Sequence, residues 1–334
     1  MGQTVSPTLS APASPALSIR SLSVSFARRE ADIRAVQQVS LEVGPRECVG
    51  IVGESGSGKT QMFMAAMGLL PSNATPSGSV LFEGEELLAA DARHLNRVRG
   101  SKLTMIFQDP MTSLTPHLQI GTQLAEVLVC HSHLSWSEAR TAAHRMLDRV
   151  RVAEPARRLK QYPHELSGGL RQRVMIAMSL LCEPTLVIAD EPTTALDVTI
   201  QAEILDLLRA MRDEAGMALV LISHDLAAVA GIADRIVVMY AGRIIESGAT
   251  AELLRQPRHP YSAALINCIP TVSGPLLARL PTLPGQPPQP GDSIEGCAFA
   301  PRCPRAAERC RIERPPLQDV GSAAQVACHF PLST

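Results

Sequence analysis

Gly53-Glu-Ser-Gly-Ser-Gly-Lys-Thr60 is the stretch on which the fold turns. It fits the pattern GxxxxGK followed by Ser or Thr. Its flanks fit too: an apolar run, Glu47 to Val52, leads in, and a stretch without helix breakers, Lys59 to Leu70, leads out. Strand, glycine loop and helix in that order open a P-loop fold. In such a loop Gly53, Ser55, Gly56, Ser57 and Gly58 let successive backbone N–H groups turn inward and cradle phosphate, helped by the dipole of the following helix. Lys59 is a point charge for the β- and γ-phosphates, and the Thr60 hydroxyl is a ligand for Mg²⁺.

Downstream, Leu186-Val-Ile-Ala-Asp190-Glu191-Pro192 supplies the second half of a nucleotide site. The unbroken apolar run suits a parallel strand buried on both faces. Its end delivers Asp190 to the Mg²⁺ shell and sets Glu191 beside the γ-phosphate, where it polarises or deprotonates the attacking water. Two acids at a strand end would, alone, be a solvated tip. The P-loop gives them a partner.

Between and beyond these motifs the periodicity switches repeatedly. Leu22, Val24 and Phe26 alternate with serines, and Val39, Leu41 and Val43 alternate again, as half-buried strands do. Short strands are expected at Gly78 to Gly84 and Leu103 to Phe107. From about Gln119 to Leu181 the pattern is helical. There Ser135 and Glu138 have capping-box spacing, and Ala143, Met146, Leu147 and Val150 share one helix face. A helix carrying Ile200, Ile204, Leu207, Leu208 and Met211 follows the two acids, then strands at Ala218 to Ile222 and Arg235 to Tyr240. This is the strand–helix alternation of an α/β fold.

Composition bounds the partners. Of 334 residues 46% are hydrophobic and 19% charged, enough for a sizeable core, and the net charge of −1 argues against a nucleic-acid binder. No apolar run reaches the 18 residues a membrane span needs. Met1 to Ala16, rich in Ser, Pro, Ala and Thr, has neither the charge nor the apolar core of a signal peptide and reads as a disordered tail. Trp136 reads as a local packing residue, and Cys130-His131-Ser132-His133 as the end of a helix before the capping box. Cys48, Cys130, Cys182 and Cys268 read as small buried hydrophobes. Cys297, Cys303, Cys310 and Cys328 crowd instead into a C-terminal stretch, residues 281–334, that holds 10 of the 26 prolines. That stretch reads as a loop-rich extension held by something other than a large core.

With Leu166-Ser167-Gly168-Gly169-Leu170-Arg171-Gln172-Arg173 the sequence resembles the ATP-binding-cassette ATPases, whose LSGGQ signature this is, with Leu170 where many members have Gln. The resemblance implies a RecA-like P-loop core with an antiparallel β-subdomain and an inserted α-helical subdomain at about residues 112–182, the whole ATPase domain spanning residues 17–256. It implies that Ser167, Gly168 and Gly169 contact the γ-phosphate of ATP held by a second subunit. Phe26, which by itself would be read as core, takes the place of the aromatic that stacks on adenine. Gln108 looks like the glutamine that senses Mg²⁺ and water, Asp197 like the loop acid at the dimer interface, and His224 like the switch histidine at the γ-phosphate.

Other stretches resemble one branch of that family, the ATPases of oligopeptide/dipeptide permeases. These are Met105-Ile-Phe-Gln-Asp-Pro-Met-Thr-Ser-Leu114, Tyr162-Pro-His-Glu-Leu166, His259-Pro-Tyr-Ser262 and Cys297-Ala-Phe-Ala-Pro-Arg-Cys303, the last two in an extension spanning 257–334. The "D" type of ATPase is the closer match. The resemblance implies a peptide importer at the cytoplasmic face of the inner membrane: a second homologous ATPase subunit, two membrane-spanning permease subunits and an extracytoplasmic peptide-binding protein. Nickel, opine and glutathione importers share these motifs and stay as alternatives for the cargo. A soluble DNA-repair or ribosome-associated ATPase is the other class, but no long heptad stretch and no second cassette is present.

The four clustered cysteines have the spacing C-x₅-C-x₆-C-x₁₇-C. Unconnected thiols are one reading. Structural zinc pairs cysteines two to four residues apart, and no such pair occurs here. A disulfide is disfavoured in a reducing cytoplasm. A 4Fe–4S cluster tolerates wider spacings and can staple a small extension, so it is the expected occupant, with zinc as the alternative.

Overall fold

A computed structural model describes residues 14–28, 32–194, 196–269, 283–289, 291–292, 294–321 and 323–333. Most of the tail expected to be disordered thus lies outside the described residues. The strands in chain order are β1 (Leu17–Phe26), β2 (Ile33–Val43), β3 (Cys48–Val52), β4 (Ala74–Phe82), β5 (Glu85–Glu86), β6 (Leu103–Ile106), β7 (Leu186–Asp190), β8 (Ala218–Ser223), β9 (Arg235–Tyr240), β10 (Arg243–Ala249), β11 (Gln318–Asp319) and β12 (Gln325–Val326).

They form two sheets. One is antiparallel, in the order β2-β1-β4-β5; the other runs β11-β12-β10-β9-β3-β8-β7-β6. In the second, β6, β7, β8, β3 and β9 pair in parallel. The sequence of these strands explains the arrangement. β3, β7 and β8 are buried at every residue, as apolar runs covered on both faces must be. In β2, Val36, Val39, Leu41 and Val43 point inward between half-exposed polar neighbours, so that sheet covers the core with one face only.

Because β7, β3 and β9 are parallel neighbours or near neighbours, their C-terminal ends open on the same edge. There lie the glycine loop after β3, the two acids at the end of β7 and Ser223-His224 at the end of β8. An open α/β sheet places its ligand site at such an edge.

The helical region expected from Gln119 to Leu181 holds four α-helices: Ile120–Ser132, Trp136–Arg149, Pro155–Arg158 and Gly168–Leu180. Ser135 and Glu138 do form the capping box, and Ala143, Met146, Leu147 and Val150 are buried. Several expectations are corrected. The first helix ends at Ala66, where Gly68 follows in the left-handed region, instead of running to Leu70. β4 starts at Ala74, ahead of the expected Gly78, because residues 74–77 complete its pairing with the end of β1. Cys130 is exposed near the end of the helix before Trp136, so it is not the small buried hydrophobe expected.

The C-terminal extension is less independent than its prolines suggest. β12 pairs with β10 and adds an edge to the main sheet. Phe299 is buried in the main core, edge-on to Tyr240 at 5.5 Å and to Tyr261 at 5.4 Å. A core contact therefore holds it to the main sheet.

Candidate functional site

The glycine loop is shaped by close backbone approach. A Cβ on Gly58 would collide with the carbonyl oxygen of Ala35, and its φ of +94° suits glycine. This lets the helix Lys59–Ala66 begin with its free N–H groups facing the loop. Lys59 is buried, and its Nζ donates to the carbonyls of Gly53 at 2.8 Å and Glu54 at 3.0 Å. Burial pulls its pKa below the usual lysine range, while Glu191, Asp190 and Glu54 oppose that shift. The loop thus holds an ammonium inside a ring of acceptors, ready to trade carbonyl contacts for phosphate oxygens.

Next to it, the Thr60 hydroxyl donates to Oδ1 of Asp190 at 3.0 Å. Burial raises the Asp190 carboxyl above its ordinary range, against the Thr60 hydrogen bond and with a further push from neighbouring Glu191. A hydroxyl and a carboxylate oxygen side by side are the donor types a hard cation takes. Residues 130 apart in sequence are brought into contact here.

Glu191 is the centre of the second half. Its φ of +45° is a strained value for a residue other than glycine, and its N–H is held by the Ile222 carbonyl at 2.9 Å. Such strain survives where the surroundings over-determine it, and it concentrates at functional sites. Gln108 Nε2 donates to Oε2 of Glu191 at 3.0 Å, the Thr194 hydroxyl donates to the same oxygen at 2.8 Å, and His224 Nδ1 lies 3.2 Å from Oε1. The sequence-predicted Gln108, Glu191 and His224 are therefore one cluster, beside the Lys59, Thr60 and Asp190 cluster.

The remaining predicted residues lie apart from it. Ser167 caps the helix Gly168–Leu180 with no side-chain hydrogen bond and is exposed. Gly168 and Gly169 lie against Leu196 and Ile200. Among the described residues no hydrogen bond joins this signature to residues 53–60. Asp197 is exposed and accepts from the Ile200 N–H at 3.0 Å, so within this chain it is a helix N-cap. Phe26 ends β1, half-buried against the core beneath the antiparallel sheet.

The sequence reading missed Thr194, and it missed the contacts of Glu54. Arg302 donates to both Glu54 carboxylate oxygens at 2.8 and 3.0 Å, and the Glu54 N–H donates to the Tyr261 hydroxyl at 3.1 Å. A carboxylate inside a phosphate-binding loop was the available signal, since it demands a counter-charge.

The four C-terminal cysteines meet. Cys297, Cys303, Cys310 and Cys328, all free thiols, line one cavity of about 20 Å³ together with His259, Phe299 and Phe330. Burial raises the Cys297 and Cys328 thiols above the usual cysteine range. Among the described residues no three His, Cys, Asp or Glu side chains are arranged to hold a metal ion, so the structure gives no support to the expected 4Fe–4S or zinc occupant.

Known proteins align with both halves of this description. The family model "ABC transporter" matches residues 36–194, and "Oligopeptide/dipeptide transporter, C-terminal region" matches residues 245–310. The chain is 48% identical to the oligopeptide transport ATP-binding protein OppD of Salmonella typhimurium, over 96% of this chain and 95% of that one. It is also 48% identical to the Escherichia coli protein of the same name, over 95% and 93%. Its fold is similar to the dimeric ATP-binding cassette MJ0796 bound to ADP and Pi, with TM-score 0.63 and 27% identity over 70% of this chain and 98% of that chain.

Proposed function

The chain belongs to the ABC transporter family, in the branch with an oligopeptide/dipeptide-transporter C-terminal region, and on that footing we propose that it hydrolyses ATP to drive peptide import through a membrane permease. The observation that carries the catalytic half is the Gln108–Glu191–His224 cluster beside Lys59 and Thr60.

In this reading the loop N–H groups of Gly53 to Thr60 and the Lys59 ammonium bind the phosphates, and Phe26 stacks on adenine. Thr60 and Asp190 fit Mg²⁺ through adjacent oxygens, and Gln108, which uses Nε2 on Glu191, keeps its carbonyl oxygen for the same ion. Mg²⁺ supplies charge neutralisation at the β- and γ-phosphates. Glu191 orients the attacking water and takes its proton. His224, 60% exposed at the side chain and set on the Glu191 oxygen that Gln108 does not use, would contact the γ-phosphate.

Ser167, Gly168 and Gly169 serve a second subunit. Their exposure and their separation from this chain's own loop support that role, as does Val198, an apolar residue 82% exposed beside Asp197. Phe107 and Met111, exposed on either side of Gln108, supply apolar surface for the permease subunits. Among the described residues no helix is long and apolar enough to cross a membrane. The similarity to peptide-transport ATP-binding proteins supports placing the chain at the cytoplasmic face, with permease subunits in the bilayer. An extracytoplasmic binding protein delivers the peptide.

The thiols of Cys297, Cys303, Cys310 and Cys328 fit a 4Fe–4S cluster in donor type and number. Because the cavity is about 20 Å³, loading requires these side chains to rotate outward around it. The cluster would act as a structural staple.

The test is reconstitution in proteoliposomes with the partner ATPase, permease subunits and binding protein. ATP turnover that rises with the partners, coupled to uptake of a labelled peptide, is expected. Uptake of nickel or an opine in place of peptide would overturn the cargo assignment, and full turnover by a dilute monomer would overturn the two-subunit site.

A further inference from the structure

Glu54 brings a carboxylate into the loop where a triphosphate must lie. The charge is not left alone. Arg302, from the C-terminal extension, forms a bidentate pair with it at 2.8 and 3.0 Å. The Arg302 side chain is only 5% exposed, and Glu54's is 25% exposed. The guanidinium is fixed in turn: Nε donates to the Pro284 carbonyl at 2.9 Å, Nη1 donates to the Tyr240 hydroxyl at 3.2 Å, and its carbon sits 5.9 Å from the Tyr240 ring centre.

A second tether reaches the same residue. The backbone N–H of Glu54 donates to the hydroxyl of Tyr261, which is fully buried. The Glu54 carbonyl accepts from Lys59 Nζ at 3.0 Å. Side chain, N–H and carbonyl of one loop residue are thus all committed. Two of the three partners come from residues 207 and 248 positions further along the chain.

We propose that Arg302 is a positioning residue of the ATP site: it neutralises Glu54 and fixes the phosphate loop, so that ATP affinity depends on the C-terminal extension. This rests on reading residues 53–60 as the ATP phosphate loop. The reason is electrostatic. Removing one member of a largely buried, bidentate pair strands the other as an uncompensated charge. Stranded, the Glu54 carboxylate repels the triphosphate and is free to draw Lys59 towards itself. Both effects act on bound ATP and on the transition state alike, so KM moves and kcat does not. Arg302 is bonded directly to Cys303, so a rearrangement of the four-cysteine cavity reaches the phosphate loop through one peptide unit.

The experiment measures binding of a fluorescent ATP analogue to the full chain, and KM and kcat for ATP in the reconstituted transporter. Arg302→Gln should weaken binding and raise KM about tenfold, the equivalent of roughly 1.4 kcal/mol, with kcat within about twofold. Adding Glu54→Gln to that variant should restore KM most of the way, because the stranded charge is gone, whereas a residue needed only for folding would not be rescued. Tyr261→Phe, nearly isosteric, keeps the test available should Arg302→Gln fail to fold; it should raise KM severalfold. Unchanged KM in these variants, or a loss that Glu54→Gln does not relieve, would overturn the proposal. A wild-type chain that binds no nucleotide would instead overturn the ATP-site reading beneath it.

Discussion

The imidazole Nδ1 of His224 lies 3.2 Å from Oε1 of Glu191, while the other carboxylate oxygen takes hydrogen bonds from Gln108 and Thr194. A carboxylate held on both oxygens, on a strained backbone, has its direction set before substrate arrives. Glu191→Gln preserves shape and removes the base. Turnover in the assembled transporter should fall by about 10²–10⁴, the size of general-base effects, with ATP binding retained. Near-normal hydrolysis would remove Glu191 from the mechanism.

Phe26 ends β1 opposite Ile33 and Ala74, with its ring partly packed and partly open. If the open part stacks on adenine, Phe26→Ala should raise KM for ATP about 2- to 10-fold, as loss of roughly 0.5–1.5 kcal/mol of aromatic contact implies. The maximal rate should hold, since stacking is the same in ground and transition states. A lower rate at unchanged KM would make Phe26 a core residue.

The legible part of this protein was what local sequence can encode. The loop from Gly53 to Thr60, the apolar strand ending in Asp190 and Glu191, and the capping box at Ser135 each carry their own spacing, and each stands where the spacing put it. The contacts of Glu54 were not legible. Arg302 lies 248 residues away in a proline-rich stretch whose composition suggested looseness, and nothing local marks it as a loop partner. Phe299 was missed for a related reason. A single aromatic among prolines has no period, yet it is what Tyr240 and Tyr261 close around.

His259 tests how firmly the extension is joined. Its Nδ1 accepts from the Tyr261 N–H at 3.0 Å, capping the helix Pro260–Asn267, and burial pushes its pKa down to about 3, so the acceptor is a neutral ring at pH 7. His259→Ala leaves a buried N–H without a partner, a cost of about 1–3 kcal/mol. The thermal unfolding midpoint should drop by at least a few degrees, and His259→Asn, which can still cap, should recover part of it. An unchanged midpoint in the alanine variant would show the cap to be energetically idle.

The occupant proposed for the four-cysteine cavity is tested by metal and sulfide analysis. Four thiolates on one zinc at about 2.3 Å each must converge tightly, and among the described residues no three candidate ligands are so arranged. The proposed 4Fe–4S cluster would place each of the four thiolates that line this cavity on a separate iron. Anaerobically purified protein should be brown, with visible charge-transfer absorption and about four irons and four sulfides per chain. Cys303→Ser should bleach that absorption and lower the unfolding midpoint of the extension. The Lys59 and Thr60 contacts, made to residues 53–54 and to Asp190, should persist, whereas the Arg302–Glu54 pair, one peptide unit from Cys303, should loosen and raise KM for ATP. A colourless protein carrying one zinc per chain, or four freely titrating thiols in residues 297–328, would overturn the assignment.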